Sequence, residues 1–181
     1  DRCFINSPPT NRTLAKGLTD REQSSLIKLT RPKKGNKNPI DHRNYIMVML
    51  MLSFGFRPGE LLSLKVEDVQ LVGISSIRVH RRPPDSRDIR RPRPQIKRNG
   101  RVLAINDKSL AIALDLYITK WRDLLDGKNQ TNIEWDYLIL NQDGTPLSLA
   151  SLTQYFQILR NRHSKVLPAN LSPKTLRHTF S

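Results

Sequence analysis

Cysteine is nearly missing from this sequence. Its 181 residues hold one, Cys3, which cannot close an internal disulfide and has no metal-ligand spacing around it. That argues against a secreted disulfide scaffold and a zinc module, and suits a reducing cytosol. Long apolar runs are scarce as well. The main one, Tyr45 to Phe56, is shorter than the about 20 residues a membrane span needs, and no signal peptide is visible, so no membrane partner is expected. Acidic residues are few: 16 Asp and Glu face 31 Lys and Arg, a formal net charge of +15. Such a surplus predicts a polyanionic partner, nucleic acid above all. The chain opens on Asp1 and stops at Ser181 inside a helical pattern, and is read as a piece of a longer protein.

What is present reads as a series of helices with one short β interruption. Residues 1–17, with Pro8 and Pro9 and no periodicity, read as a linker or arm, and residues 18–181 as the domain. In "LTDREQSSLIKL" Thr19 is the expected N-cap and Glu22 completes a capping box. "RPKKGNKNP" is a basic loop. "DHRNYIMVMLMLSFGF", with Asp41 as its expected cap, is apolar nearly all round and predicts a buried central helix ended at Gly55. Pro58 then suits the first position of a new helix over "PGELLSLKVEDV". "ISSIRVH" predicts a strand. Asn99-Gly100 predicts a hairpin turn between the runs of "RPQIKRNGRVLAI". Leu110, Leu114, Tyr117, Trp121 and Leu124 form one helical stripe, stopped by Gly127. "DYLIL", 136–140, predicts a buried strand, "SLASLTQYFQILRNRH" an amphipathic helix, and "LSPKTLRHTFS" a helix capped by Ser172 with Pro173 at its first position. The expected class is mostly α with a small antiparallel β-hairpin sheet inserted between helices.

The charge is concentrated. Residues 78–101 carry ten Lys and Arg against two Asp, about half of the whole surplus. Four prolines, Pro83, Pro84, Pro92 and Pro94, keep this segment extended. It is either a solvated loop or a strand, loop and hairpin lying along a nucleic-acid backbone. It holds no aromatic residue on which bases could stack, which favours phosphate contacts on duplex DNA over reading of single strands. Arg81, Arg82, Arg90, Arg91, Arg93, Arg98 and Arg101 are the candidate phosphate contacts.

Further cations sit where local structure would not choose them. Arg57 follows the buried run at a Pro-Gly break. Lys97 precedes the Asn-Gly turn. Lys174 and Arg177, three apart, share a face of the last helix with His178. Lys174, in that helix's first turn, opposes the dipole unless an anion docks there.

This combination resembles the catalytic domain of the tyrosine recombinases, the phage-integrase family. Its first box is matched by Gly55-Phe56-Arg57-Pro58-Gly59-Glu60-Leu61-Leu62 with Leu64 and Asp68. The lysine hairpin is matched by "IKRNGRVLAI", and the third box by "LSPKTLRHTF", with Lys174 where His is commonest. "DGTPLS", 143–148, resembles the lead-in to that box. The resemblance implies the recombinase catalytic-domain fold, incomplete at its C-terminus. It also implies site-specific DNA recombination or integration by strand cleavage and rejoining through a 3′-phosphotyrosine, with no metal and no cofactor. Arg57 and Arg177 would clamp the transition-state phosphate, Lys97 would protonate the leaving 5′ oxygen, and Lys174 would hold a phosphate oxygen. Glu60, as partner of the Arg57 guanidinium, and His178 would support them. The family's nucleophilic tyrosine and its separate N-terminal DNA-binding domain are not matched, and Tyr45, Tyr117, Tyr137 and Tyr155 fall in core-like patterns. Double-stranded DNA is the implied partner, with self-association as a tetramer in the full-length protein, in the cytoplasm at the nucleoid. Two other readings remain: a non-catalytic DNA-binding protein that keeps the fold, and a basic RNA-binding protein in which Arg57, Lys97, Lys174 and Arg177 do not converge.

Overall fold

The computed structural model describes residues 16–180; Cys3 and most of the expected arm lie outside the described residues. Helix α1 (Asp20–Thr30) begins with the capping box the sequence predicts. Thr19 Oγ1 accepts from the Glu22 N–H at 3.3 Å, and the Glu22 carboxylate accepts from the Thr19 N–H at 2.8 Å. Helix α2 (Pro39–Phe54) starts three residues earlier than expected, because Asn38 rather than Asp41 is its cap. The Asn38 side chain accepts from the Ile40 N–H at 3.0 Å, and Pro39, with no N–H to satisfy, pre-sets the first turn. Asp41 instead accepts from Asn36. Every residue of α2 from Tyr45 to Leu52 is buried. The apolar run is therefore the central post, against which α1, the helix beginning at Lys108 and the last helix pack.

Gly55 ends α2 in the left-handed conformation, φ 61°, a region that disfavours a Cβ. Helix α3 (Pro58–Ser63) follows with Pro58 at its first position, and a 3₁₀ turn covers Val66–Asp68. Strands β1 (Val69–Gln70), β2 (Ser76–Val79) and β3 (Arg101–Ala104) form an antiparallel sheet in that order, with Ile77 opposite Leu103. The hairpin expected about Asn99-Gly100 is therefore not the one formed. β3 pairs with β2 across the whole basic loop. Pro92 and Pro94 remove ladder donors from the run before the turn, whereas β2 offers a strand anchored by fully buried Ile77 and Val79.

Asp107 caps α4 (Lys108–Leu116), which runs through a π-helical turn, Tyr117–Arg122, into α5 (Asp123–Asp126). The wider turn advances the helix phase, so the stripe that buries Leu110, Leu114, Tyr117 and Trp121 continues at Leu125, fully buried, and leaves Leu124 half exposed. Residues 137–140 are buried and Asp136 is exposed, and the segment forms no strand, only single bridges Lys65↔Tyr137 and Leu140↔Pro146. Side chains take the carbonyls a ladder would use: Arg122 reaches Trp135 and Tyr137, the Tyr117 hydroxyl reaches Leu138, and Arg43 reaches Leu140. Helix α6 (Leu149–Arg162) is capped by Ser148. In α7 (Pro173–Phe180) Ser172 Oγ accepts from the Thr175 N–H, as the sequence predicts. Thr179 Oγ1 accepts from the Leu18 N–H at 2.7 Å, tying the start of the domain to α7.

Candidate active site

The C-terminal end of α2 is where distant parts of the chain meet. A Cβ on Gly55 would lie 2.5 Å from the Phe180 ring, so glycine lets that ring lie against the end of α2 where α7 docks. That docking brings Arg177 Nη1 to 3.4 Å from the Gly55 carbonyl, 122 residues away in sequence. The cleft beside it has a volume of about 680 Å³. Its walls are Arg98, Asn99, Arg101, Arg177 and Glu60 on the polar side and Phe54, Leu103 and Phe180 on the apolar side. Burial, together with the charges of Arg57, Arg98 and Arg101, pushes the Arg177 pKa down, and Glu60 opposes that shift. Arg57, half-buried between α2 and α3, thus shares one electrostatic environment with Arg177.

Glu60 is the hinge of this arrangement. Its partner is Arg101, where the sequence suggested the Arg57 guanidinium. Arg101 donates to both carboxylate oxygens, at 2.8 and 3.2 Å, while the Arg57 backbone N–H donates at 2.9 Å. Glu60 sits at N3 of α3, so its carboxylate folds back on the N-terminal amide, and β3 delivers Arg101 to the remaining lone pairs. Burial alone would raise the Glu60 pKa. The Arg101 and Arg57 hydrogen bonds, with the charges of Arg101 and Arg177, outweigh it and hold the carboxyl below its ordinary value.

A depressed carboxyl pKa contributes stability that is present above the unfolded value and lost as pH falls through the folded one. The stability difference between the wild type and Glu60→Gln is therefore expected to stay constant from neutral pH down to about pH 5. Below that it should shrink, as read by urea unfolding at several pH values. A difference that grows in acid contradicts the ion pair.

The other expected site cations are dispersed. Lys174 is exposed on α7 and His178 half-buried one turn on. Neither lines the cleft with Arg177. Lys97 is exposed and borders a neighbouring cavity of about 570 Å³ with His80, Arg81 and Arg93. Among the seven candidate phosphate contacts, Arg98 and Arg101 face the cleft. Arg91 is exposed and Arg93 half-buried, each donating to the Asp88 carbonyl. Arg82 pairs with Glu67 and Asp68, and Arg81 donates to backbone carbonyls. Arg90 is a correction. It is 6% exposed and bound to Asp88 and to the carbonyls of Leu62 and Leu147, so its charge is spent inside the protein. The basic loop is thus held by its own two aspartates, through Arg87–Asp85 and Arg90–Asp88 pairs. The cleft's apolar half was missed in the sequence. Neither Phe54 nor Phe180 carried a site reading there.

Tyr45, Tyr117 and Tyr137 are buried, and Tyr155 packs against the core. The Tyr117 hydroxyl donates to the Leu138 carbonyl, and burial raises its pKa beyond the ordinary tyrosine range, as it does for Tyr155. None of the four lines the cleft. Among the described residues no helix is long and apolar enough to cross a membrane.

Comparison with known proteins places the chain. The phage integrase family matches residues 16–181. Tyrosine recombinase XerC of Roseiflexus castenholzii is 30% identical over 179 residues, covering 98% of this chain and 49% of that protein. Tyrosine recombinase XerD of Staphylococcus saprophyticus is 27% identical over 178 residues, covering 98% and 52%. The chain spans about half the length of the curated relatives it matches. Among solved structures, the Tn1549 transposon integrase in complex with circular intermediate DNA gives a TM-score of 0.67 at 20% identity, covering 92% of this chain and 53% of that one. XerH site-specific recombinase bound to palindromic difH substrate gives 0.65 at 19% identity, covering 92% and 41%. These two likenesses establish the fold, and the family match over nearly the whole sequence establishes that the chain belongs to the phage integrase family.

Proposed function

We propose that this chain supplies the phosphate-activating part of a metal-free site-specific DNA recombinase. The observation that carries the reading is the meeting of the Arg57 and Arg177 segments at the end of α2, beside a basic cleft. In the proposed reaction a tyrosine oxygen attacks the scissile phosphorus and forms the P–O bond of a 3′-phosphotyrosine. The P–O5′ bond breaks, and the departing 5′ oxygen takes a proton from Lys97 Nζ. The five-coordinate transition state carries extra negative charge on its non-bridging oxygens. Two guanidinium groups suit it because each is planar, always charged and able to donate twice. Lys174 is a further donor to a phosphate oxygen, beside His178. All four tyrosines of this chain are committed to the core, so the nucleophile is to be sought in the full-length gene product.

The substrate is duplex DNA, engaged through phosphates by the exposed cations of residues 78–101, with tetrameric self-association on the DNA at the nucleoid. Affinity for duplexes of unrelated sequence is expected to fall steeply with salt, since each neutralised phosphate adds about −0.9 to the slope of log K against log salt. Arg91→Ala is expected to weaken all duplexes alike and to flatten that slope by about one, measured by fluorescence anisotropy. A slope near zero contradicts phosphate-dominated binding. The direct test of the reaction is trapping on a nicked duplex that loses its 5′ end after cleavage. The full-length gene product is expected to form a covalent adduct in EDTA on DNA carrying its own attachment site. No adduct leaves a non-catalytic DNA binder, and an adduct that needs a divalent metal overturns the mechanism.

A further inference from the structure

We propose that Arg81 and Gly59 are positioning residues for Lys97, pinning the strap Gln95–Lys97 to the first turn of α3 so that the lysine is placed relative to Arg57. This rests on the reading of Lys97 as proton donor. Arg81 leaves the end of β2 and reaches across the loop, 15 and 16 residues on. Its Nε donates to the Ile96 carbonyl at 2.9 Å and its Nη2 to the Lys97 carbonyl at 2.6 Å. Successive carbonyls of an extended strand point to opposite sides. One guanidinium takes both here, so neither carbonyl is left for a regular ladder. These donors are directed at the protein's own backbone, where the sequence suggested a phosphate.

The second support is steric. A Cβ on Gly59 would lie 2.4 Å from the Gln95 carbonyl oxygen and 3.0 Å from the Gln95 nitrogen. Both are backbone atoms, which no rotamer change can move aside. Gly59 does not hold a positive φ, and glycine weakens a helix relative to alanine, so its role here is close approach. It lies between Arg57 and Glu60. The strap that bears Lys97 thus rests on the same helical turn whose first amide Glu60 binds. With Gln95 seated and the Ile96 and Lys97 carbonyls clamped, the long Lys97 side chain is left to cover the distance from its neighbouring cavity to a bound phosphate.

The test separates protonation from binding and folding. Cleavage of an ordinary phosphodiester is compared with cleavage of a 5′-bridging phosphorothiolate, whose P–S bond breaks to a thiolate that needs no proton. In the full-length gene product Lys97→Ala is expected to lose ordinary cleavage and recover on the sulfur substrate. Arg81→Ala and Gly59→Ala are expected to lose between about tenfold and about a hundredfold on the ordinary substrate, the scale of a small misplacement of a reacting group. Both should recover on the sulfur substrate with DNA affinity near wild type, and Arg81→Ala with thermal unfolding near wild type. Arg81→Lys keeps the charge but not the fork, and is expected to behave like Arg81→Ala. If Lys97→Ala recovers while Arg81→Ala and Gly59→Ala stay equally depressed on both substrates, the positioning role is wrong and the proton-donor reading stands. If Arg81→Lys restores ordinary cleavage, Arg81 acts as a charge and not as a clamp. If Lys97→Ala fails to recover, the proton-donor reading falls and the positioning role falls with it.

Discussion

Alanine in place of Arg57 or Arg177 is expected to lower the rate of covalent adduct formation by about 10²–10³-fold in the full-length gene product, with a change in DNA affinity of less than about tenfold. The asymmetry follows from where each charge is used. On the proposed reading, binding is shared among many phosphate contacts along the basic loop, so one lost contact costs little. The transition state gathers extra negative charge at a single phosphorus, and removing one of two guanidiniums there takes away about 3–4 kcal/mol, the worth of a lost oxyanion donor. Arg57→Ala keeps the backbone amide that Glu60 accepts, so the local turn of α3 survives and the loss is chemical. Arg57→Lys is expected to remain impaired, because an ammonium cannot donate in a planar fork. A parallel loss of affinity and rate in either alanine variant would show that the residue serves DNA binding alone.

The approach of the Arg57 and Arg177 segments was legible in sequence because its signals are local. A buried helix ending at Gly55, an arginine at the break, and Ser172-Pro173 opening a last helix each follow from chemistry within a few residues. Their convergence needed only that α7 dock on α2, which Gly55 permits by having no Cβ in the way of Phe180. The sheet was half legible. Ile77 and Val79 gave β2 its buried face, but Asn99-Gly100 pointed to the wrong partner for β3. A turn signal says nothing about a strand 20 residues upstream, whose ladder wins by burial. Arg101 belonged to the same blind spot. In sequence it is one cation among ten, and only the β2–β3 register carries it to Glu60. Fold class thus came from periodicity. The choice between structural and surface arginines could not, because it depends on which carboxylates and carbonyls the tertiary fold places nearby.

Arg90 and its neighbour Arg91 make that choice measurable. Arg90→Ala is expected to destabilise the protein by about 3–5 kcal/mol at neutral pH, the cost of removing one partner from a buried ion pair. The side chains of Arg90 and Asp88 are 5% and 6% exposed. Arg90 donates to Asp88 through Nε and Nη2, at 3.0 and 2.8 Å, and through Nη1 to the carbonyls of Leu62 and Leu147 at 2.9 and 3.0 Å. The guanidinium also stacks 4.4 Å above the Tyr137 ring. Truncation therefore strands a buried carboxylate and leaves two carbonyls without this donor. Burial pushes the Asp88 carboxyl up, and the Arg90 hydrogen bonds and charge outweigh it, so the wild-type pKa is held below the ordinary value. The sign of the pH dependence follows. In the wild type the pair's contribution is present above the unfolded carboxyl value and lost as pH falls through the lower folded one. In Arg90→Ala the bare carboxyl is raised and can escape its penalty by binding a proton. The stability gap is then largest near neutrality and narrows toward about pH 4, as urea unfolding across pH reads directly. Arg90→Met combined with Asp88→Leu is expected to recover much of the loss, since an apolar pair of similar volume avoids the desolvation of both ions. Arg91→Ala, at an exposed position, is expected to stay within about 0.5 kcal/mol of wild type. A cost below about 1 kcal/mol for Arg90→Ala, or a gap that widens in acid, would place Arg90 at the surface with the exposed cations of the loop.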